Sequence, residues 1–310
     1  MSKIKRTDQF DIDDHRAELE MLLPRKIKVL ILEGSTDRLL LKLLINEAKL
    51  LGKKNVKVFS MGSLGSRNCK GDIITLFNTT EDIQNNELVL GLVDKDLDEP
   101  LETNFHNLLE TEYNDLDCYL IHFSSFFHFA VELLDNLSLR RKLGFFPSGE
   151  LDRFRDYLVE SLIPLSQARI MNNKFRIPFN KILPKSPSAI RGNRHKLFKK
   201  FLDENWMITE ESLHSFLVQS EKCDRVDWGE FFSEYERKET NSYITVTNGH
   251  DLVSLLACIV NESNTHRYKS DLEIEEALRL STRIEAYEEF SITKKIKSWI
   301  FDDAIIPRTQ

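Results

Sequence analysis

Three short, almost uninterrupted aliphatic runs in the N-terminal part constrain the fold more than any other feature of the chain. They are KIKVLILE (Lys26–Glu33), NVKVFSM (Asn55–Met61) and ELVLGLVD (Glu87–Asp94). A strand that is apolar at nearly every residue must be covered on both faces, which is the condition of a parallel sheet flanked by helices. The segments between the runs suit those helices. Gly34 breaks the first strand, Ser35 or Thr36 offers a capping oxygen, and Asp37 sits where a helix dipole favours negative charge. The helix DRLLLKLLINEAKLL then runs to Leu51 and stops at Gly52, and Asp72–Phe77 starts a shorter one after the Gly62 and Gly65 loop. Strand and helix alternate, which predicts βαβ units.

CYLIHF (Cys118–Phe123) reads as a fourth strand, and there the alternation ends. Amphipathic stretches follow at Phe126–Leu137, Leu151–Leu162, His195–Asn205, Glu210–Gln219, Trp228–Arg237, Asp251–Asn261, Asp271–Leu280 and Arg283–Phe301, interrupted by a strand-like Tyr243–Asn248. The expected fold class is therefore α/β: a parallel βαβ sheet domain over 26–125, then a mostly helical domain over 126–310. A polar leader over 1–25 holds a short helix at His15–Leu23, ended by Pro24.

Composition narrows the class. Apolar residues make up 41% and charged residues 30% of the 310, which excludes a disordered or collagen-like chain. No run approaches the roughly 20 apolar residues of a membrane span, and the N-terminus has no apolar core of a signal peptide. The expectation is a cytoplasmic protein with no membrane partner. Cys69, Cys118, Cys223 and Cys258 form no CxxC pair, which argues against a disulfide framework or zinc knuckle.

Net charge is −7, yet Ser161–Leu202 contains no Asp or Glu and ten Lys or Arg. Within it Arg191, Arg194, Lys196, Lys199 and Lys200 cluster tightly. Two readings stand: a phosphate-binding surface on an otherwise acidic protein, or a solvated basic loop.

GxxxxGK[ST], GxGxxG after the first strand, HExxH and GxSxG are all absent. Acids at strand ends remain. The first run ends Glu33-Gly34 and the third ends Asp94-Lys95-Asp96-Leu97-Asp98. Ligands of open α/β sheets bind at the carboxyl ends of the strands. Strand alternation would point Asp94 and Asp96 to one side, and Glu33 would come from another strand. Such an all-oxygen set suits Mg²⁺ or Mn²⁺, which neutralise charge on a phosphodiester and activate water.

LILEGSTDRLLLKLL followed by LGLVDKDLD resembles a toprim domain, over about residues 26–125. That family places a Glu, usually followed by Gly, after strand one and a DxD after strand three, positions matched by Glu33, Asp94 and Asp96. The resemblance implies that Glu33 does acid–base work or ligates metal, and that Asp94 and Asp96 hold Mg²⁺. No topoisomerase cleavage domain, primase zinc module or N-terminal ATPase accompanies it. With YNDLDCYLI (Tyr113–Ile121), NGHDLVSLL near the C-terminus and a helical second half, the chain is similar to standalone toprim effectors of the overcoming-lysogenization-defect nuclease group in bacterial anti-phage systems. That likeness implies a toxic endonuclease held by an ABC-type ATPase partner, active as a homodimer, with tRNA as substrate. Nothing in the residues themselves separates RNA from DNA. A DNA-cleaving toprim nuclease and a non-catalytic regulatory module on the same fold are the alternatives.

Further candidates carry two readings each. Asp37 is a supporting acid of the site or a helix-dipole residue, and Asp98 is a supporting acid or a solvated loop charge. Asp117, with Asp115, precedes the fourth apolar run and joins the site only if that run is antiparallel. His250 contacts a phosphate, or Asn248–Asp251 is simply a turn and helix cap.

Overall fold

The computed structural model describes residues 9–52, 56–61, 69–96, 101, 104–134, 150–175, 177, 194–219, 226–235, 247–262 and 270–301. The chain forms two compact units, Met1–Glu112 with Ile284–Gln310, and Tyr113–Arg283. Among the described residues no helix is long and apolar enough to cross a membrane.

The first unit opens with α1 (Gln9–Leu22), which gives way to a 3₁₀ turn at Leu23–Arg25 containing Pro24. Then come β1 (Lys28–Leu32), α2 (Ser35–Leu50), β2 (Val56–Ser60), α3 (Cys69–Thr79), β3 (Val89–Val93) and β4 (Leu108–Glu110). All neighbouring pairs are parallel, in the order β2-β1-β3-β4. Every residue of β1 and β3 is buried, as their continuous apolar runs require. The one charge inside β1, Lys28, donates from Nζ to the Trp299 carbonyl at 2.5 Å.

Successive strand residues face opposite ways. Val29, Ile31, Val89 and Val93 join one core cluster with Leu19 of α1 and Ile73, Leu76 and Phe77 of α3. Gly91 lets Phe77 press onto β3, since a Cβ there would lie 2.7 Å from Phe77 Cε2 and from Leu108 Cδ1. α2 connects β1 to β2, and α3 carries the chain back past β1 to β3. The connections therefore leave the carboxyl ends of the adjacent strands β1 and β3 in opposite directions. Such a switch point opens a crevice above the sheet edge.

The second unit contains α4 (Cys118–His122), α5 (Phe126–Leu134), α6 (Glu150–Glu160), α7 (Ile163–Phe175), α8 (His195–Phe198), α9 (Glu210–Val218), α10 (Trp228–Tyr235), α11 (Gly249–Glu262) and α12 (Asp271–Ser281). α11 is its axis. Leu252 through Val260 are buried without a break, and α4, α6, α8 and α12 pack around it. A helix apolar on all sides belongs inside a bundle. The chain then returns to the first unit as α13 (Ser291–Phe301), which packs on α2.

Several elements differ from the sequence expectation. Cys118–Phe123 is not a fourth strand but the helix α4, and the fourth strand is Leu108–Glu110. The Asp115 carboxylate, two residues before the N-cap Asp117, accepts the Cys118 N–H at 3.1 Å and so satisfies the first amide of that helix. The units part at Glu112/Tyr113 rather than near residue 125, and the final helix belongs with the sheet rather than with the helical half. Ile163–Phe175, inside the basic segment, is helical. Tyr243–Val246, the body of the strand-like stretch, lies outside the described residues, as do Asp98 and Arg191.

Candidate functional site

The carboxyl edge of the sheet gathers charge at the switch point. Glu33 follows β1, and its Oε1 accepts the Asp94 N–H at 2.7 Å across the β1–β3 pair. Asp37, in the first turn of α2, accepts the Gly34 N–H at 2.6 Å and is buried. That bond caps the start of α2, and the Asp37 charge also reaches Glu33. Ser60 at the end of β2 donates to the Gly34 carbonyl at 3.2 Å. Three residues, Asp94 after β3, Asp37 of α2 and Ser60 of β2, therefore fix the Glu33-Gly34 corner.

Burial pushes the Glu33 carboxyl up to about 7, and the neighbouring carboxylates of Asp96 and Asp37 push the same way. The Asp94 N–H and the Lys70 ammonium oppose them without prevailing. A carboxyl with that proton affinity exchanges a proton near neutral pH, the property required of a general acid or base.

Asp94 and Asp96 do not share a side through strand alternation, as the sequence suggested. β3 ends at Val93, and Asp96 takes a left-handed backbone conformation with φ 52°. A turn, not a pleat, brings the Asp96 charge toward Glu33. Aspartate is among the few non-glycine residues that take up this region readily, which suits it to such a turn.

Three residues of this edge escaped the sequence reading. Lys70, in the first turn of α3, donates to the Asp94 carbonyl at 2.7 Å, the Lys95 carbonyl at 3.1 Å and Glu110 Oε1 at 3.3 Å. Glu110 ends β4 opposite Val93, and Thr111 accepts the Lys95 N–H at 2.8 Å. The available signal was weak. Lys70 stands alone in NCKGD, and Glu110 closes a strand of three residues.

Glu33, Asp94 and Asp96 offer only carboxylate oxygens, the donor chemistry of Mg²⁺ or Mn²⁺, and their mutual repulsion is what a divalent cation relieves. The set fits such an ion in kind. Among the described residues, however, no three His, Cys, Asp or Glu side chains form a group placed to hold a metal.

The remaining candidates lie in the second unit. Asp117 Oδ2 and His250 Nδ1 are 3.0 Å apart, so these two residues partner each other. Asp115 accepts from Asn248 Nδ2 at 2.8 Å and from the Gly249 N–H at 2.9 Å, which caps α11. Gly249 permits this approach: a Cβ would stand 2.3 Å from Asp115 Oδ1 and 2.5 Å from the Cys118 nitrogen.

Arg194 is a correction. It is fully buried rather than presented to a phosphate. Its guanidinium pairs with Asp251 and donates to the His250 carbonyl at 2.7 Å and Ser254 Oγ at 2.9 Å. Arg169 joins the same carboxylate at 2.9 and 3.1 Å. Burial pushes the Asp251 carboxyl up, but the two guanidiniums outweigh it and hold the group below the usual range. Lys196, Lys199 and Lys200 are exposed, although the helix they were expected to share ends at Phe198.

Comparison of the chain with protein-family models gave no match, and comparison with curated proteins gave none.

Proposed function

We propose that the chain is a cytoplasmic, divalent-cation-dependent nuclease whose working groups are Glu33, Asp94 and Asp96. One observation carries this reading. Glu33 Oε1 accepts the Asp94 backbone N–H at 2.7 Å across adjacent parallel strands, at the carboxyl-edge switch point where α/β sheets take their ligands. The Glu33 carboxyl, pushed up to about 7, supports it.

In this reading Glu33 takes or returns a proton at its carboxylate, with the Asp94 N–H fixing the orientation of Oε1. Asp94 and Asp96 would hold Mg²⁺ or Mn²⁺ with Glu33, and the ion would neutralise charge on the scissile phosphodiester and lower the pKa of attacking water. The exposed Lys196, Lys199 and Lys200 would contact phosphates of the substrate.

The toprim resemblance extends the proposal. It rests on Glu33-Gly34, on Asp94 and Asp96, and on the helical second half. The anti-phage effector it points to is AriB of the PARIS system, which implies tRNA as substrate, an ATPase partner resembling AriA, and a homodimer as the active form. A second reading, a binding module on the same sheet, is favoured by the lack of a three-ligand group among the described residues. Incubating the purified protein with tRNA and with plasmid DNA, with Mg²⁺ or EDTA, separates them. The proposal expects Mg²⁺-dependent cleavage of tRNA, lost in Glu33→Ala. Cleavage of plasmid alone would assign a DNA nuclease, and cleavage of neither would favour the module.

A further inference from the structure

We infer that Lys70, with Glu110, is the positioning pair that holds the Asp94–Asp96 turn in its working conformation. The inference rests on the functional reading above only for its consequence, ion binding. The clamp itself is argued from geometry alone.

The turn after β3 has little intrinsic reason to keep its shape. Asp96 adopts φ 52°, a left-handed conformation that aspartate tolerates better than most residues but still at a cost relative to glycine. Asp94 and Asp96 also carry like charges that favour an open loop. Something must hold the turn closed, and the backbone contacts show what does. The Asp94 N–H is held by Glu33 and the Lys95 N–H by Thr111. The carbonyls of the same two residues both accept from Lys70 Nζ. The peptide group between Asp94 and Lys95 is thus held on both sides, its carbonyl by Lys70 and its N–H by Thr111, and the same ammonium also holds the next carbonyl, that of Lys95.

Glu110 keeps the ammonium in place. Its Oε1 pairs with Lys70 at 3.3 Å, and its Oε2 accepts the Leu101 N–H at 3.3 Å. The pair therefore ties α3, the turn after β3 and the incoming chain at Leu101 to the end of β4. Both side chains are largely shielded, 13% and 16% exposed, where a charge-assisted hydrogen bond keeps much of its strength. A lysine suits this task because one ammonium offers three rotatable donors to partners that are not coplanar. Lys70 acts through the peptide groups of the turn, not by touching a reacting atom. Supporting groups of this kind typically govern metal affinity by about 10–100-fold.

Two measurements on Lys70→Met test the inference. Amide hydrogen exchange in metal-free buffer reads the clamp. The Asp94 and Lys95 amides should exchange about tenfold faster or more, while the amides of β1 and α2 keep their wild-type rates. Lys70→Arg should recover most of the protection, because it restores a buried cationic donor. Calorimetric Mn²⁺ titration reads the consequence, a loss in affinity of about tenfold. Lys70→Gln replaces the methionine variant should that variant fail to fold. Unchanged exchange at Asp94 and Lys95, or an equal rise across the whole unit, would overturn the clamp. Faster local exchange with unchanged Mn²⁺ affinity would overturn its role in ion binding. A wild-type protein that binds no Mn²⁺ through Asp94 would remove the functional reading, and the exchange result would still decide the clamp.

Discussion

Replacing Glu33 with glutamine should stabilise the protein and, on the proposed reading, abolish cleavage. The carboxyl has an ordinary value of 4.5 and is pushed to about 7 by burial first, then by Asp96 and Asp37. Between these two values the folded protein binds a proton that the unfolded chain has released. The stability Glu33 contributes is therefore fully present below pH 4.5 and falls as pH rises through 7. Integrated over that window the loss is about 3 kcal/mol in metal-free buffer, since each unit is worth about 1.4 kcal/mol. Glutamine never ionises, and its Oε1 can still accept the Asp94 N–H. Alanine would also remove the charge but leave that N–H without its acceptor, at about 1–3 kcal/mol. Thermal melts of wild type and Glu33→Gln in EDTA, from pH 4.5 to 8.5, should start together and diverge by several degrees in favour of the variant. Curves that stay parallel across that range would refute the ionisation penalty and the electrostatic account of the corner.

The other predictions concern the second unit. Gly249→Ala should lower the melting temperature, because its Cβ meets the Asp115 carboxylate and the Cys118 backbone; overpacking of this kind costs about 1–3 kcal/mol. Arg194→Ala should be more damaging, about 3–5 kcal/mol, since it strands the buried Asp251 carboxylate with Arg169 alone, and a wild-type melt would contradict the burial of that network. Changing Lys196, Lys199 and Lys200 together to alanine should leave the melt unchanged while weakening nucleic-acid binding. It should also flatten the log–log salt dependence by about two to three units, and an unaltered slope would make these lysines ordinary surface.

What the sequence revealed and what it hid follow from how local the controlling physics is. β1 and β3 could be read because double-sided burial writes itself as a continuous aliphatic run, the edge strand β2 because Val56, Val58 and Phe59 still mark it around an exposed Lys57, and Glu33 and Asp94 because they end the buried runs. CYLIHF carries the same apolar signal, yet a six-residue apolar run suits a buried helix equally well. Asp115, which holds the Cys118 N–H, belongs to the turn that starts the helix, a contact the run itself does not show. The true fourth strand, Leu108–Glu110, is too short to show a period. Arg194 was misplaced because counting charges along a segment ignores a partner 57 residues away, here Asp251. The same blindness hid Lys70, which meets Asp94, Lys95 and Glu110 only after the sheet has formed. The left-handed turn at Asp96 left only an ambiguous mark, since aspartate tolerates that conformation but, unlike glycine, does not single it out.

The central claim is that Glu33, Asp94 and Asp96 form one divalent-ion site around a carboxyl that is protonated near neutrality. Titrating Mn²⁺ calorimetrically at pH 6.0 and 8.5, each in two buffers of different ionisation enthalpy, tests it most directly. A ligand carboxylate must be deprotonated, so binding at the lower pH should release about one proton, and binding at the higher pH almost none. Asp94→Asn with Asp96→Asn should abolish binding at both values, and Glu33→Gln should abolish the proton release. Binding that releases no proton at pH 6.0, or that survives loss of both aspartates, would contradict the account.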